Sequence, residues 1–107
     1  SASQNIFDLV QNALILNRAG KVITVEVDTI NQLELIQMLN FNRLLLDNMK
    51  PDEIKKALTL VGNKYETEAS GNINEKNIID YAKTGVNRIS IGKLTHSPKN
   101  LDISLNF

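Results

Sequence analysis

Apolar positions recur at helical spacing from Ser3 to about Leu16, where Ile6, Leu9, Val10, Ala13 and Leu14 share one side. Gly20 closes that unit, and the β-branched run KVITVEV (21–27) reads as a strand. Thr29, with Gln32 three residues on, forms a capping box that opens a second helix. Ile30, Leu33, Ile36 and Leu39 make its inner stripe. RLLLDN (43–48) is the second strand. Pro51 suits the first turn of a third helix whose core side is Ile54, Ala57, Leu58 and Val61, and Gly62 stops it. KYETEAS (64–70) is the third strand. Asn74 caps a fourth helix carrying Ile78, Ile79 and Ala82, and Gly85 ends it. RISIG (88–92) is the fourth strand. After Pro98 the tail LDISLNF (101–107) alternates, which predicts a short extended segment with Leu101, Ile103, Leu105 and Phe107 on one side.

Helix and strand therefore alternate, one pair about every 20 residues, an order that predicts parallel strands joined by right-handed crossovers. No Pro/Gly/Ser-rich linker interrupts residues 1–107, so they form one domain or part of one. Strand side chains alternate faces. One set is Ile23, Val25, Val27; Leu44, Leu46; Tyr65, Thr67, Ala69; Ile89, Ile91, which belongs under helices. The other is Thr24, Glu26, Asp28; Arg43, Leu45, Asp47; Glu66, Glu68, Ser70; Arg88, Ser90, Gly92, almost wholly polar. A doubly wound sheet, covered on both faces, does not tolerate that second set. The expected fold is α/β: half of a TIM-like (β/α) barrel, four parallel strands alternating with four helices. The polar set then lines a solvated lumen and its mouth at the strands' C-terminal ends.

Glu26, Asp28, Asp47, Glu68 and Ser70 converge on that mouth. Gathered carboxylates repel one another unless a cation or a hydroxyl-rich ligand sits among them. Arg43 and Arg88 lie nearer the strand starts. A hydrated divalent ion or a polyol is one reading; a lumen salt-bridge lattice without a ligand is the other. Beside the carboxylates, SGNIN (70–74) leads a strand end into a capped helix, and GKLTHS (92–97) adds a glycine, a lysine, two hydroxyls and the sole histidine, His96. In barrels, loops after the last strands commonly hold phosphate; taken singly, such glycines are plain turns. His96 alone reads as solvated, and the Lys55–Lys56 pair as an exposed helix face.

Composition narrows the partners. Twelve basic and twelve acidic side chains cancel, which removes the electrostatic case for nucleic acid or an anionic membrane. No apolar run is long enough to span a bilayer. With no cysteine, disulfides and thiolate metal sites are excluded, which fits a cytoplasmic protein. The first residue is Ser1, as expected of a processed product or a shortened chain.

The segments VEVDT, LLLDNM, EASGNIN, TGVNRISIGKLTHS and LDISLNF, in this order and spacing, resemble the C-terminal part of quinolinate phosphoribosyltransferases, the carboxylating nicotinate-nucleotide pyrophosphorylases. The resemblance implies a transferase of NAD biosynthesis. It would join quinolinate to phosphoribosyl pyrophosphate, release pyrophosphate and CO2, and yield nicotinate mononucleotide with Mg2+ as cofactor. It implies an N-terminal sandwich domain before the barrel and a homo-oligomer whose subunits share active sites. By motif, Glu26 and Asp47 would contact the ribose hydroxyls and the metal-bound donor, as catalytic and water-mediated metal residues. Ser70, Gly71, Gly92 and His96 would hold the 5-phosphate, with Glu68 and Lys93 as additional contacts.

Four departures stand out from the family's pattern. Thr24 replaces a glutamate, Asn72 a second glycine, Lys93 a small residue and Asn106 an aspartate. The family's quinolinate-binding arginines, lysines and histidine lie upstream of the matching region. The expectation is a C-terminal fragment, inactive alone, that covers its sheet edges by self-association. Two other functions fit the same residues: a barrel paralogue with another acceptor, of the molybdenum-transport accessory type, or a non-catalytic self-associating fragment.

Overall fold

The computed structural model describes residues 2–91 and 103–106, with side chains described for residues 6–91. Four α/β pairs follow one another: α1 (Ala2–Leu16), β1 (Thr24–Val27), α2 (Ile30–Ile36), β2 (Arg43–Asp47), α3 (Pro51–Val61), β3 (Glu66–Ser70), α4 (Ile78–Ala82) and β4 (Arg88–Ile91). A final strand, β5 (Ile103–Asn106), follows. The sheet order is β1-β2-β3-β4-β5. Its first three pairings are parallel, and β5 runs antiparallel to β4 with Leu105 opposite Ile89 and Ile103 opposite Ile91. Sequential parallel neighbours in unbroken order are the half-barrel arrangement.

The two-residue period of each strand divides the sheet as expected. Val25, Val27, Leu44, Leu46, Thr67, Ala69, Ile89 and Ile91 are buried, together with Leu33, Ile36, Ile54, Ala57 and Val61 from the helices. The luminal residues between them are exposed or half-buried. Thr67 is the one polar residue among the buried positions described, and Asn87 satisfies it. Its N–H and hydroxyl both donate to Asn87 Oδ1, at 2.8 and 2.9 Å, and its Oγ1 accepts from Asn87 N at 3.2 Å.

The helix ends follow from local chemistry. Thr29 Oγ1 accepts from Gln32 N at 3.1 Å, but Gln32 Oε1 reaches the N–H of Asp28 rather than that of Thr29, so the capping box is displaced by one residue. At α3 only the returning half exists: Glu53 Oε1 accepts from Lys50 N at 3.0 Å, since a lysine side chain has no acceptor. Gly62, at φ 58°, ends α3 with its N–H on the Leu58 carbonyl. Tyr65 stacks on Phe41, with centroids 4.0 Å apart and planes 6° off parallel. Its hydroxyl lies 2.6 Å from the Leu39 carbonyl oxygen and 3.0 Å from that of Gln37.

Three expectations need correction. The regular part of α4 begins at Ile78, not after Asn74; an intervening turn is closed by Asn74 Oδ1, which accepts from Lys76 N and Asn77 N. Ile79 is exposed and Tyr81 takes the core position instead, its hydroxyl donating to the Met49 carbonyl at 2.8 Å. On α1, Val10 is buried and Ile6 and Leu14 pack against the core, but Leu9 is 68% exposed and Ala13 is exposed. The helix is apolar on two sides and buries one. Leu101 and Phe107 of the expected tail stripe lie outside the described residues.

Candidate active site

The luminal face has two layers. At the strand starts, Glu66 accepts from both neighbours, Arg43 Nε at 3.3 Å and Arg88 at 3.1 Å. At this level the lumen holds a salt-bridge lattice: one carboxylate between two guanidinium groups. A small cavity of about 140 Å3 lies on this side, lined by Thr24, Arg43, Leu45, Glu66 and Glu68.

Toward the C-terminal ends the chemistry changes from ion pairs to hydroxyl–carboxylate pairs. Ser70 Oγ donates to Asp47 Oδ1 at 3.0 Å across the β2–β3 pairing, where these two residues are in register. Ser90 Oγ donates to Glu68 Oε2 at 3.1 Å across β3–β4. Glu26 is in register with Leu45, two residues before Asp47, so it stands one diagonal step away on the same face. Among the described residues, no ion pair involves Glu26, Asp47 or Glu68, and no three or more carboxylate or imidazole groups cluster to cage a metal.

Gly71 joins the two halves of this rim. It sits at φ +80°, and a Cβ placed on it would lie 2.8 Å from Asp47 Oδ1 and 3.0 Å from Asn48 N. Only a residue without a side chain lets the turn after β3 approach the carboxylate so closely. Asn48 and Asn72 flank this approach, both at φ 58°, a left-handed conformation that asparagine tolerates. Asn48 N donates to the Ser70 carbonyl at 2.9 Å, and Asn72 Nδ2 donates to Asn48 Oδ1. Asn77 Nδ2 in turn donates to the Asn72 carbonyl at 2.8 Å, while its Oδ1 accepts from Asn74 N at 2.8 Å. The Lys76 and Asn77 amides are thus spent inside the turn, on Asn74 Oδ1.

Of the expected site residues, Glu26, Asp47, Glu68, Ser70 and Gly71 are brought to one face and toward one end of the sheet. Gly92, Lys93 and His96 lie outside the described residues. Asn48 was not anticipated, although an asparagine directly after a strand-terminal aspartate is the sequence sign of a left-handed turn. A separate open cavity of about 680 Å3, lined by Gly62, Lys64, Tyr65, Thr67, Gly85 and Asn87, lies at the opposite end of the strands. It belongs to the helix C-termini and strand starts, where Glu66 also lines it, away from Glu26, Asp47 and Glu68.

These features define a partial (β/α) barrel carrying a hydroxyl, carboxylate and turn-amide site at its C-terminal rim. The sequence matches the family "Quinolinate phosphoribosyl transferase, C-terminal domain" over residues 2–106, and the chain belongs to that family. It is 41% identical over 93 residues to a probable nicotinate-nucleotide pyrophosphorylase (carboxylating) of Methanocaldococcus jannaschii, covering 80% of this chain and 33% of that protein. A Bacillus subtilis protein of the same description is 39% identical over 84 residues, covering 78% of this chain and 29% of the relative. Among solved structures, the nicotinate-nucleotide pyrophosphorylase of Francisella tularensis superposes with a TM-score of 0.76 at 31% identity, covering 94% of this chain and 36% of that one. The chain therefore spans about a third of the length of the relatives it matches.

Proposed function

We propose that this chain is the ribose-phosphate-binding part of a quinolinate phosphoribosyltransferase of NAD biosynthesis. The observation that carries the reading is the Asp47–Ser70–Gly71 contact, a carboxylate and an amide-bearing turn held within one hydrogen bond of each other. A phosphoribosyl donor needs both kinds of group: acceptors for its ribose hydroxyls and donors for its 5-phosphate. Asp47 and Glu26 would accept from the ribose hydroxyls. They would also favour the positive charge that grows at the anomeric carbon as its bond to pyrophosphate breaks. Ser70 and Gly71 would hold the 5-phosphate largely through backbone donors, since the Ser70 hydroxyl donates to Asp47, and Gly92 and His96 would join them. Glu68 and Lys93 would add contacts at the same rim.

Glu26 and Asp47 offer the hard oxygen ligands that Mg2+ takes, and one or two protein carboxylates fit its habit of sharing coordination with substrate phosphates. Such an ion would neutralise the leaving pyrophosphate. The acceptor, quinolinate, would come to this rim from groups beyond these residues, so the chain alone would not turn it over.

Self-association is part of the same reading. Among the described residues no strand lies beside the outer edge of β1, and Leu9, Ile15, Leu16 and Val22 present apolar surface nearby in sequence. A homo-oligomer would cover both. A cytoplasmic location accords with a chain free of cysteine. No described helix is long and apolar enough to cross a membrane.

Titration of phosphoribosyl pyrophosphate with Mg2+ into the chain tests the proposal. Binding that weakens in both Glu26→Ala and Asp47→Ala supports it. Binding indifferent to both changes, or none at all, overturns it.

A further inference from the structure

We propose that Asn48 and Asn72 are positioning residues: the bond from Asn72 Nδ2 to Asn48 Oδ1 clasps the turns after β2 and β3 into one rigid binding element. This rests on the ribose-phosphate reading above. Without the clasp, the two halves of the rim meet only through the Ser70–Asp47 hydrogen bond, the Asn48–Ser70 backbone bond and the close passage of Gly71. Both asparagines leave their strands in the same left-handed conformation, φ 58°, which aims their side chains across the gap between neighbouring strands. Asn72 is further braced from behind, because its carbonyl accepts from Asn77 Nδ2. Holding Asp47 on one turn and the Gly71 backbone on the other, the clasp keeps ribose-hydroxyl acceptors and phosphate donors at one separation. A ligand that engages both ends then loses less freedom on binding.

Glycine adopts φ 58° without strain, so Asn48→Gly and Asn72→Gly each delete the clasp and keep the backbone path. If the asparagines serve only the backbone conformation, both variants bind as the parent does. The test is ribose 5-phosphate binding by NMR titration of the 107-residue chain, its two single variants and the double variant, with denaturant midpoints measured in parallel. The clasp predicts that each single variant weakens binding about fivefold, the worth of one hydrogen bond, and that the double variant is no weaker than the poorer single. Merely loosening each turn would instead make the two losses multiply. Parent-like binding in the singles, multiplying losses, or losses that only follow the denaturant midpoint overturn the clasp and leave the site reading standing. Absence of ribose 5-phosphate binding in the parent chain overturns the site reading and the clasp together.

Discussion

The luminal face of this sheet is polar from end to end, yet its two layers use that polarity in opposite ways. At the strand starts, Arg43 and Arg88 close on Glu66, and the charge of that carboxylate is matched within the protein. At the strand ends, Asp47 and Glu68 receive only serine hydroxyls among the described residues, and Glu26 stands exposed. A hydroxyl orients a carboxylate without cancelling its charge. The carboxylate of the lower layer is therefore paired within the protein, whereas those of the upper layer are the ones proposed above to meet a cation or a polyol. Glu66 and Glu68, two positions apart on β3, thus divide between scaffold and proposed site.

The sharpest way to break that contrast is Gly71→Ala. The new methyl group meets Asp47 Oδ1 at 2.8 Å on a backbone already at φ +80°, so either the carboxylate or the turn must move. We expect a stability loss of about 1–3 kcal/mol and ribose-phosphate binding weakened at least about tenfold. Denaturation and titration of the same sample measure both. Unchanged binding would detach the rim's function from its geometry.

A second test touches the scaffold alone. Burial raises the Tyr65 phenol above the ordinary tyrosine range, and burial followed by the nearby Glu53 carboxylate raises that of Tyr81. An unfolded chain ionises these phenols near their usual pKa, about 10, while the folded chain still keeps them neutral. Their contribution is therefore complete below pH 10 and declines as pH rises from there through the folded values. Denaturant midpoints recorded from pH 8 to 11 should fall, and Tyr65→Phe should flatten part of the fall. A parallel decline in the Phe variant would assign the effect to lysine titration instead.

Smallest of the three is Glu66→Gln. Its carboxylate is 41% exposed, so removing both ion pairs should cost no more than about 1 kcal/mol and less at high salt. Ribose-phosphate binding should not change. If it does, the lower layer is part of the site and the division fails.

Most of the scaffold was legible because a strand has a period of two. The alternation that put Val25, Leu46 and Ala69 inward also put Glu26, Asp47 and Ser70 on the other face, and both halves of that inference hold. Periodicity failed where an element is too short or too apolar to have a single polar side. The regular α4 helix has five residues, so Ile79 and Tyr81 could not be ranked by pattern, and the one with a hydroxyl partner on Met49 went inside. On α1, the apolar stripe is wider than the face that the core covers, and spacing alone could not say which part of it is buried. The rim was legible as residue types but not as contacts. Gly71 reads as a phosphate-loop glycine, while the structure adds that Asp47 Oδ1 occupies the space of its missing side chain. That constraint joins residues 24 positions apart, beyond the reach of any local pattern, and the Asn48–Asn72 clasp is hidden for the same reason.

The account turns on one calorimetric comparison: Mg2+-phosphoribosyl pyrophosphate titrated into the parent chain, Asp47→Asn and Glu66→Gln. Asp47→Asn keeps an oxygen for the Ser70 hydroxyl while it removes the charge and turns the second acceptor oxygen into an NH2 donor. Affinity should then fall by about tenfold or more, the scale on which a charge-assisted hydrogen bond exceeds a neutral one. Glu66→Gln should bind as the parent does. Equal affinity in all three, or a greater loss in Glu66→Gln than in Asp47→Asn, would contradict the assignment of the strand-end carboxylates to the site.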